Sequence, residues 1–163
     1  MNRAATLLVL GVLWCLPFDS ASGQYFRYGK NKVQYDAHEW SYVQSKHFDV
    51  YYYEGGYHLA DFTAKSAEAA YEQIATLFQH EISDRIPILV YQSHNDFVVT
   101  NAVNLPTYSE GIGGVTELFK NRVAIPFTGS YRDFRRVIHH ELVHAVINDV
   151  FYGGSIQSVI QNN

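Results

Sequence analysis

Cysteine is nearly absent from this sequence: the 163 residues include only one, Cys15. It falls within the first 23 residues, which have the features of an export signal. Once that segment is removed, the chain cannot form an internal disulfide and cannot supply a thiolate to a metal. Disulfide-stapled folds and cysteine-rich structural zinc sites are thereby excluded.

Residues 1–23 carry the three parts expected of a signal peptide. Arg3 supplies the positive charge, residues 4–16 form an apolar stretch too short to span a bilayer comfortably, and Pro17 ends it. Residues 21–23 are small and suit cleavage before Gln24. We therefore expect an exported protein, periplasmic or extracellular, with no stable membrane span after cleavage.

Positive charge is also scarce. The chain has 12 Lys and Arg against 16 Asp and Glu, a formal net charge of −4. This balance gives no reason to expect nucleic acid as a partner. A hydrophobic content of 47% with 17% charged residues indicates one globular domain over residues 24–163.

Apolar periodicity predicts an α+β fold. Alternation predicts a strand over residues 42–53, and spacings of three and four predict a long helix over residues 59–78. A short apolar run predicts a buried strand at residues 86–91. A hairpin follows at residues 115–119 and 122–126. One of its strands is either a sheet edge that captures an extended peptide or part of an ordinary structural hairpin.

The last predicted helix runs from Tyr131 to about Phe151. Ser130 and Asp133 are typical of a capped start, and a pair of glycines from Gly153 ends it. The element order suggests a small mixed sheet packed on two long helices. Near the start of the second helix, Arg135 and Arg136 are interpreted as solvated or paired surface residues.

That second helix carries the sequence H-E-x-x-H at His140, Glu141 and His144. Residues four apart share a helix face, so the two imidazoles can bind one Zn²⁺ and leave a position open for water. Glu141 lies about 100° round the helix from His140 and can accept the proton of that water. The alternative is an amphipathic core helix that happens to carry three histidines, with His139 as the third.

The motif and its uncharged flanks resemble the zincin metallopeptidases. A metzincin would carry Gly and His where this chain has Ile147 and Val150, so the resemblance is to the gluzincin, or peptidase MA-like, branch. The match suggested is the N-terminal peptidase-like domain of exported bacterial proteins that continue into a TolB-like β-propeller. It implies a zincin-like subdomain and a peptide or protein substrate.

The resemblance also implies a third zinc ligand, a Glu on a later helix. The only carboxylate side chain after His144 is Asp149, which lies about 180° round the helix from His140. We therefore expect the third ligand beyond Asn163, in a domain truncated at its C-terminal end. The chain to Asn163 would have weak or no peptidase activity by itself.

Three functions follow from these residues. The leading one is a zinc-dependent peptidase that hydrolyses peptide bonds with a zinc-activated water. A catalytically inactive peptidase-like module that binds or scaffolds partners in the cell envelope is the alternative. A purely structural zinc site ranks last, because such sites are usually closed by four ligands and often use cysteine.

Overall fold

The structure, a computed structural model, describes residues 38–101, 113–117 and 121–153. Within these ranges it contains five strands and three helices: β1 (Trp40–Gln44), β2 (Phe48–Tyr53), α1 (Tyr57–Phe78), β3 (Ile86–Tyr91), α2 (His94–Val98), β4 (Val115–Glu117), β5 (Arg122–Pro126) and α3 (Tyr131–Tyr152). The predicted signal peptide, residues 24–37 and the chain beyond Gly153 lie outside the described residues. None of the helices described is long and apolar enough to cross a membrane.

The five strands form one mixed sheet in the order β1-β2-β3-β5-β4. The three central strands, β2, β3 and β5, run parallel, and an antiparallel strand closes each side. The predicted α+β class and small mixed sheet are confirmed. The hairpin prediction is also confirmed, and its first strand, β4, lies at a sheet edge.

One face of the sheet packs against both long helices. Strand alternation sends Val50, Ile88 and Val123 to this face, where they meet the apolar stripes of α1 and α3 in the main core. The opposite face carries a second, smaller cluster around Tyr53, Tyr91 and Phe97, and Phe97 belongs to the short helix α2. Each face of the sheet therefore carries an apolar cluster, and α3 packs against one of the two faces.

The single strand predicted over residues 42–53 is wrong, because the structure places two antiparallel strands there, joined by a turn at residues 45–47. The Ser45 amide donates to the Phe48 carbonyl at 2.9 Å, which closes the turn. The turn has no Gly, Pro or Asn to mark it in the sequence. One signal was present in the sequence: the apolar positions change phase between Val43 and Phe48, which a single regular strand does not allow.

The turn is tied to α1 by Glu68. Its carboxylate accepts from the His47 amide at 2.8 Å and lies 2.7 Å from His47 Nδ1. Burial raises the pKa of the Glu68 carboxyl, but the Ser45 and His47 hydrogen bonds and the His47 charge outweigh it, so the pKa lies below its ordinary value. A depressed carboxyl pKa stabilises the fold above the unfolded-state value of about 4.3 and loses that effect at lower pH.

Replacing Glu68 with Gln is therefore expected to lower the free energy of unfolding by about 1 kcal/mol at pH 7. The difference from the parent protein should shrink as pH falls through 5 towards 3, because the parent loses the same charge by protonation. Urea unfolding at a series of pH values measures it. Glu72→Gln, an exposed position on the same helix, should show no such pH dependence; a constant deficit for Glu68→Gln would contradict the assignment.

Candidate functional site

Helix α3 spans 22 residues and is fixed at both ends by local contacts. The Ser130 hydroxyl accepts from the Asp133 amide at 3.3 Å, and Gly153 ends the helix in a left-handed conformation with φ of 56°. Both features match the prediction. The buried stripe of the helix includes Ile138, Leu142 and Val146, all fully buried in the main core. The motif is thus carried by a helix with little freedom to shift along the sheet.

The two motif histidines lie together on the exposed side of α3. The Nε2 atoms of His140 and His144 are 3.3 Å apart, and their rings are nearly perpendicular. Both side chains are exposed, so they do not belong to the core stripe. Within the described residues, no third His, Cys, Asp or Glu joins them in a group able to hold a metal.

Glu141 has a different environment from its two neighbours in the motif. It is only 7% exposed, although it is a carboxylate on a surface helix. The Thr116 hydroxyl on edge strand β4 lies 2.7 Å from Glu141 Oε2 and 3.1 Å from the Glu141 carbonyl oxygen. A hydroxyl has one proton, so the shorter contact marks the carboxylate as its main acceptor. The hydrogen bond holds the Glu141 side chain against the edge of the sheet.

Gly114 makes this close approach of strand and helix possible. A Cβ atom at Gly114 would lie 2.9 Å from Glu141 Cγ and 3.1 Å from both Glu141 Oε1 and Val137 Cγ1. Real Cβ atoms essentially never come as close as 2.9 Å to another carbon, so a larger residue at this position would require the Glu141 side chain to shift. Glycine therefore lets Glu141 keep its observed position against β4.

A cavity of about 440 Å³ opens between the start of β4 and α3. It is lined by Gly113, Gly114, Arg136, Val137, His140 and Glu141. One motif histidine and the motif glutamate therefore face the same space, and that space is open to solvent on one side. Its size is within the range of small-ligand sites.

Several of these residues carry no local sequence signal. Thr116 and Gly114 belong to a short edge strand and the residues before it, 25 or more positions from Glu141 along the chain. The interpretation of Arg136 as a solvated or paired surface residue is confirmed, and the structure adds a second feature. It does pair with Asp133, but it also lines the cavity, because it lies one helical turn before His140.

The last carboxylate of α3, Asp149, is used elsewhere. It is 2% exposed and accepts from His80 Nε2 at 2.7 Å and from the Ser83 amide at 3.1 Å. These contacts fasten the loop between α1 and β3 to the far side of α3. Asp149 is therefore a packing and hydrogen-bonding residue of the helix, separate from the histidine pair.

No family model, curated protein or solved structure matches this chain.

Thr116→Val is expected to lower the free energy of unfolding by about 2 kcal/mol, because the buried Glu141 carboxylate loses its hydroxyl donor while the side-chain volume is unchanged. Urea unfolding of the purified variants measures the loss. Thr116→Ser keeps the hydroxyl and should recover most of the difference, whereas a Val variant as stable as the parent would show that the hydrogen bond contributes nothing.

Proposed function

We propose that the full-length protein is a zinc-dependent peptidase of the zincin class, of the gluzincin or peptidase MA-like type. His140 and His144 bind Zn²⁺, and Glu141 is the general base. The observation that carries the proposal is the 3.3 Å separation of the two Nε2 atoms. In a tetrahedral site with Zn–N distances of about 2.0–2.1 Å, two ligand nitrogens lie about 3.3–3.4 Å apart. The pair has the spacing that one zinc ion requires.

The chemistry of the donors also suits zinc. Zinc accepts neutral imidazole nitrogens, and when bound it supplies a Lewis acid for a water molecule and for a peptide carbonyl. Glu141 lines the same cavity as His140 and accepts the proton of the attacking water. The hydrogen bond from Thr116 keeps the Glu141 carboxylate in one orientation, so that less rearrangement is needed when the proton moves.

Strand β4 supports a peptide as the substrate. It forms one edge of the sheet, and its only strand partner in the described part of the chain is β5. An extended peptide can add to such an edge through main-chain hydrogen bonds. Gly113 and Gly114 lead directly into this strand and line the cavity, so a peptide on the edge would pass beside Glu141. We assign β4 as the peptide-binding edge.

We propose further that the protein is exported and that a TolB-like β-propeller follows the peptidase-like domain. The signal-like residues 1–23 support function outside the cytoplasm, where peptide substrates of an envelope peptidase are found. The zincin resemblance implies that the third zinc ligand is a Glu.

Zinc titration of the full-length protein tests the metal assignment. The parent protein is expected to bind one Zn²⁺, and His144→Ala is expected to weaken binding at least tenfold, because only one of the two described imidazoles is left. Competition with a chromophoric chelator measures the affinity. His139→Ala, an exposed neighbour outside the motif, is the matched control.

Two results would count against the assignment. Equal zinc affinity in the parent protein and in His144→Ala would reject the histidine pair as the site. Zinc binding at the pair without hydrolysis of any peptide would leave the metal site standing and favour the inactive binding module instead.

A further inference from the structure

Among the described residues that line the cavity, Arg136 is the one lysine or arginine. Helix α3 carries two other arginines in its first turns. The Arg132 side chain is 79% exposed, and the Arg135 guanidinium lies 5.3 Å from the Phe62 ring centroid, on another side of the helix. Neither lines the cavity. The helix therefore directs one of its three neighbouring cations to the space that His140 and Glu141 face.

Arg136 is only partly engaged by the protein. Its Nη1 atom donates to Asp133 Oδ1 at 3.1 Å, and the two side chains are 69% and 49% exposed. An exposed ion pair of this kind contributes little to stability. Fold stability alone therefore does not explain why an arginine lies at this position. A guanidinium has five N–H donors in a planar fork, and Asp133 uses one side of it. Nη2 and Nε have no acceptor among the described residues.

We propose that Arg136 binds a carboxylate of the substrate, so that the site prefers acidic peptides. This rests on the proposed peptidase function and specifies its substrate class. The Glu141 carboxylate lines the same cavity, and the chain as a whole carries a formal charge of −4. The Glu141 carboxylate and the negative net charge both disfavour an anionic ligand. A site that prefers such a ligand therefore requires a cation close to it. Arg136 is the residue placed to supply it, through paired N–H donors that match the geometry of a carboxylate.

The carboxylate has two sources in a peptide, an acidic side chain or a free C-terminus. Both present the same two oxygens to the guanidinium. Peptides that differ at one group separate them: Glu against Gln at each internal position, and a C-terminal acid against the amide.

Binding of these peptide pairs tests the proposal in the zinc-loaded full-length protein. Calorimetry is performed in the Glu141→Gln background, so that the peptides stay intact. We expect at least one acid peptide to bind about fivefold more tightly than its neutral partner, the upper range for an exposed ion pair. Arg136→Gln should abolish the preference. Arg135→Gln makes the same charge change without touching the cavity and should retain it.

The outcomes separate the two proposals. Equal binding of every acid and neutral pair, no detectable binding of any peptide, or equal loss of preference in both arginine variants would overturn the role of Arg136. Hydrolysis of the same peptides by the parent protein is measured separately. Hydrolysis without a preference for acidic peptides would support the peptidase function and reject the role of Arg136. A binding preference that is lost only in Arg136→Gln would support that role even if no peptide is cleaved.

Discussion

Replacing Glu141 with Gln is expected to reduce peptide hydrolysis by the full-length protein about 10²–10⁴-fold and to leave zinc bound. The amide has nearly the size of the carboxylate and can still accept from the Thr116 hydroxyl, so the side chain should keep its position. It cannot accept a proton from water, however. The loss should therefore fall on kcat, with zinc content and the free energy of unfolding close to those of the parent.

The assays needed are steady-state hydrolysis, metal analysis and urea unfolding on the same preparations. Glu81→Gln, at an exposed position outside the helices, is the control for a simple change of charge. Unchanged hydrolysis by the Glu141→Gln variant with zinc still bound would reject the assignment of Glu141 as the general base. A parallel loss of zinc would mean that Glu141 acts on the metal site and not on the proton.

Leu142→Ala should produce the largest loss of stability, about 3 kcal/mol of unfolding free energy. Leu142 lies between the two motif histidines and is fully buried in the core that α3 shares with the sheet. Truncation removes apolar contacts and leaves a cavity that neighbouring side chains fill only in part. A typical domain is stable by about 5–15 kcal/mol, so the loss is a large share of the total.

Urea unfolding monitored by circular dichroism measures this loss. Leu77→Ala is the matched control, since the same atoms are removed from a side chain that is 77% exposed on α1. The control should change the unfolding free energy by less than about 0.5 kcal/mol. Similar losses in both variants would show that α3 is not anchored through Leu142.

Residue periodicity predicted most of the secondary structure because secondary structure depends mainly on the local spacing of apolar residues. The long helices were predictable from intervals of three and four, and the caps of α3 from Ser130 and Gly153. The hairpin between β1 and β2 was missed because its turn residues, Ser45, Lys46 and His47, include no Gly, Pro, Asn or Asp, and a single Ser is a weak turn signal. Tertiary contacts of that turn, including the His47–Glu68 hydrogen bonds, stabilise it instead.

For the candidate site too, some features were predictable from local spacing and others were not. The sequence by itself determined the histidine pair, because two residues four apart on a helix share a face wherever the helix lies. It also determined that Glu141 adjoins the pair. The surroundings of Glu141 were decided only by the tertiary structure. Sheet order places β4 at the edge beside α3, so that Thr116 and Gly114 meet a residue far along the chain.

The cavity is also a product of the tertiary structure. Arg136 has the same helical spacing from His140 whether or not anything covers the helix, and spacing alone does not distinguish an exposed cation beside a cavity from one on open surface. The approach of β4 makes that distinction, because it creates the wall opposite α3. Local spacing thus predicts which side chains can act together, whereas long-range packing fixes which are buried, hydrogen-bonded or open to a substrate.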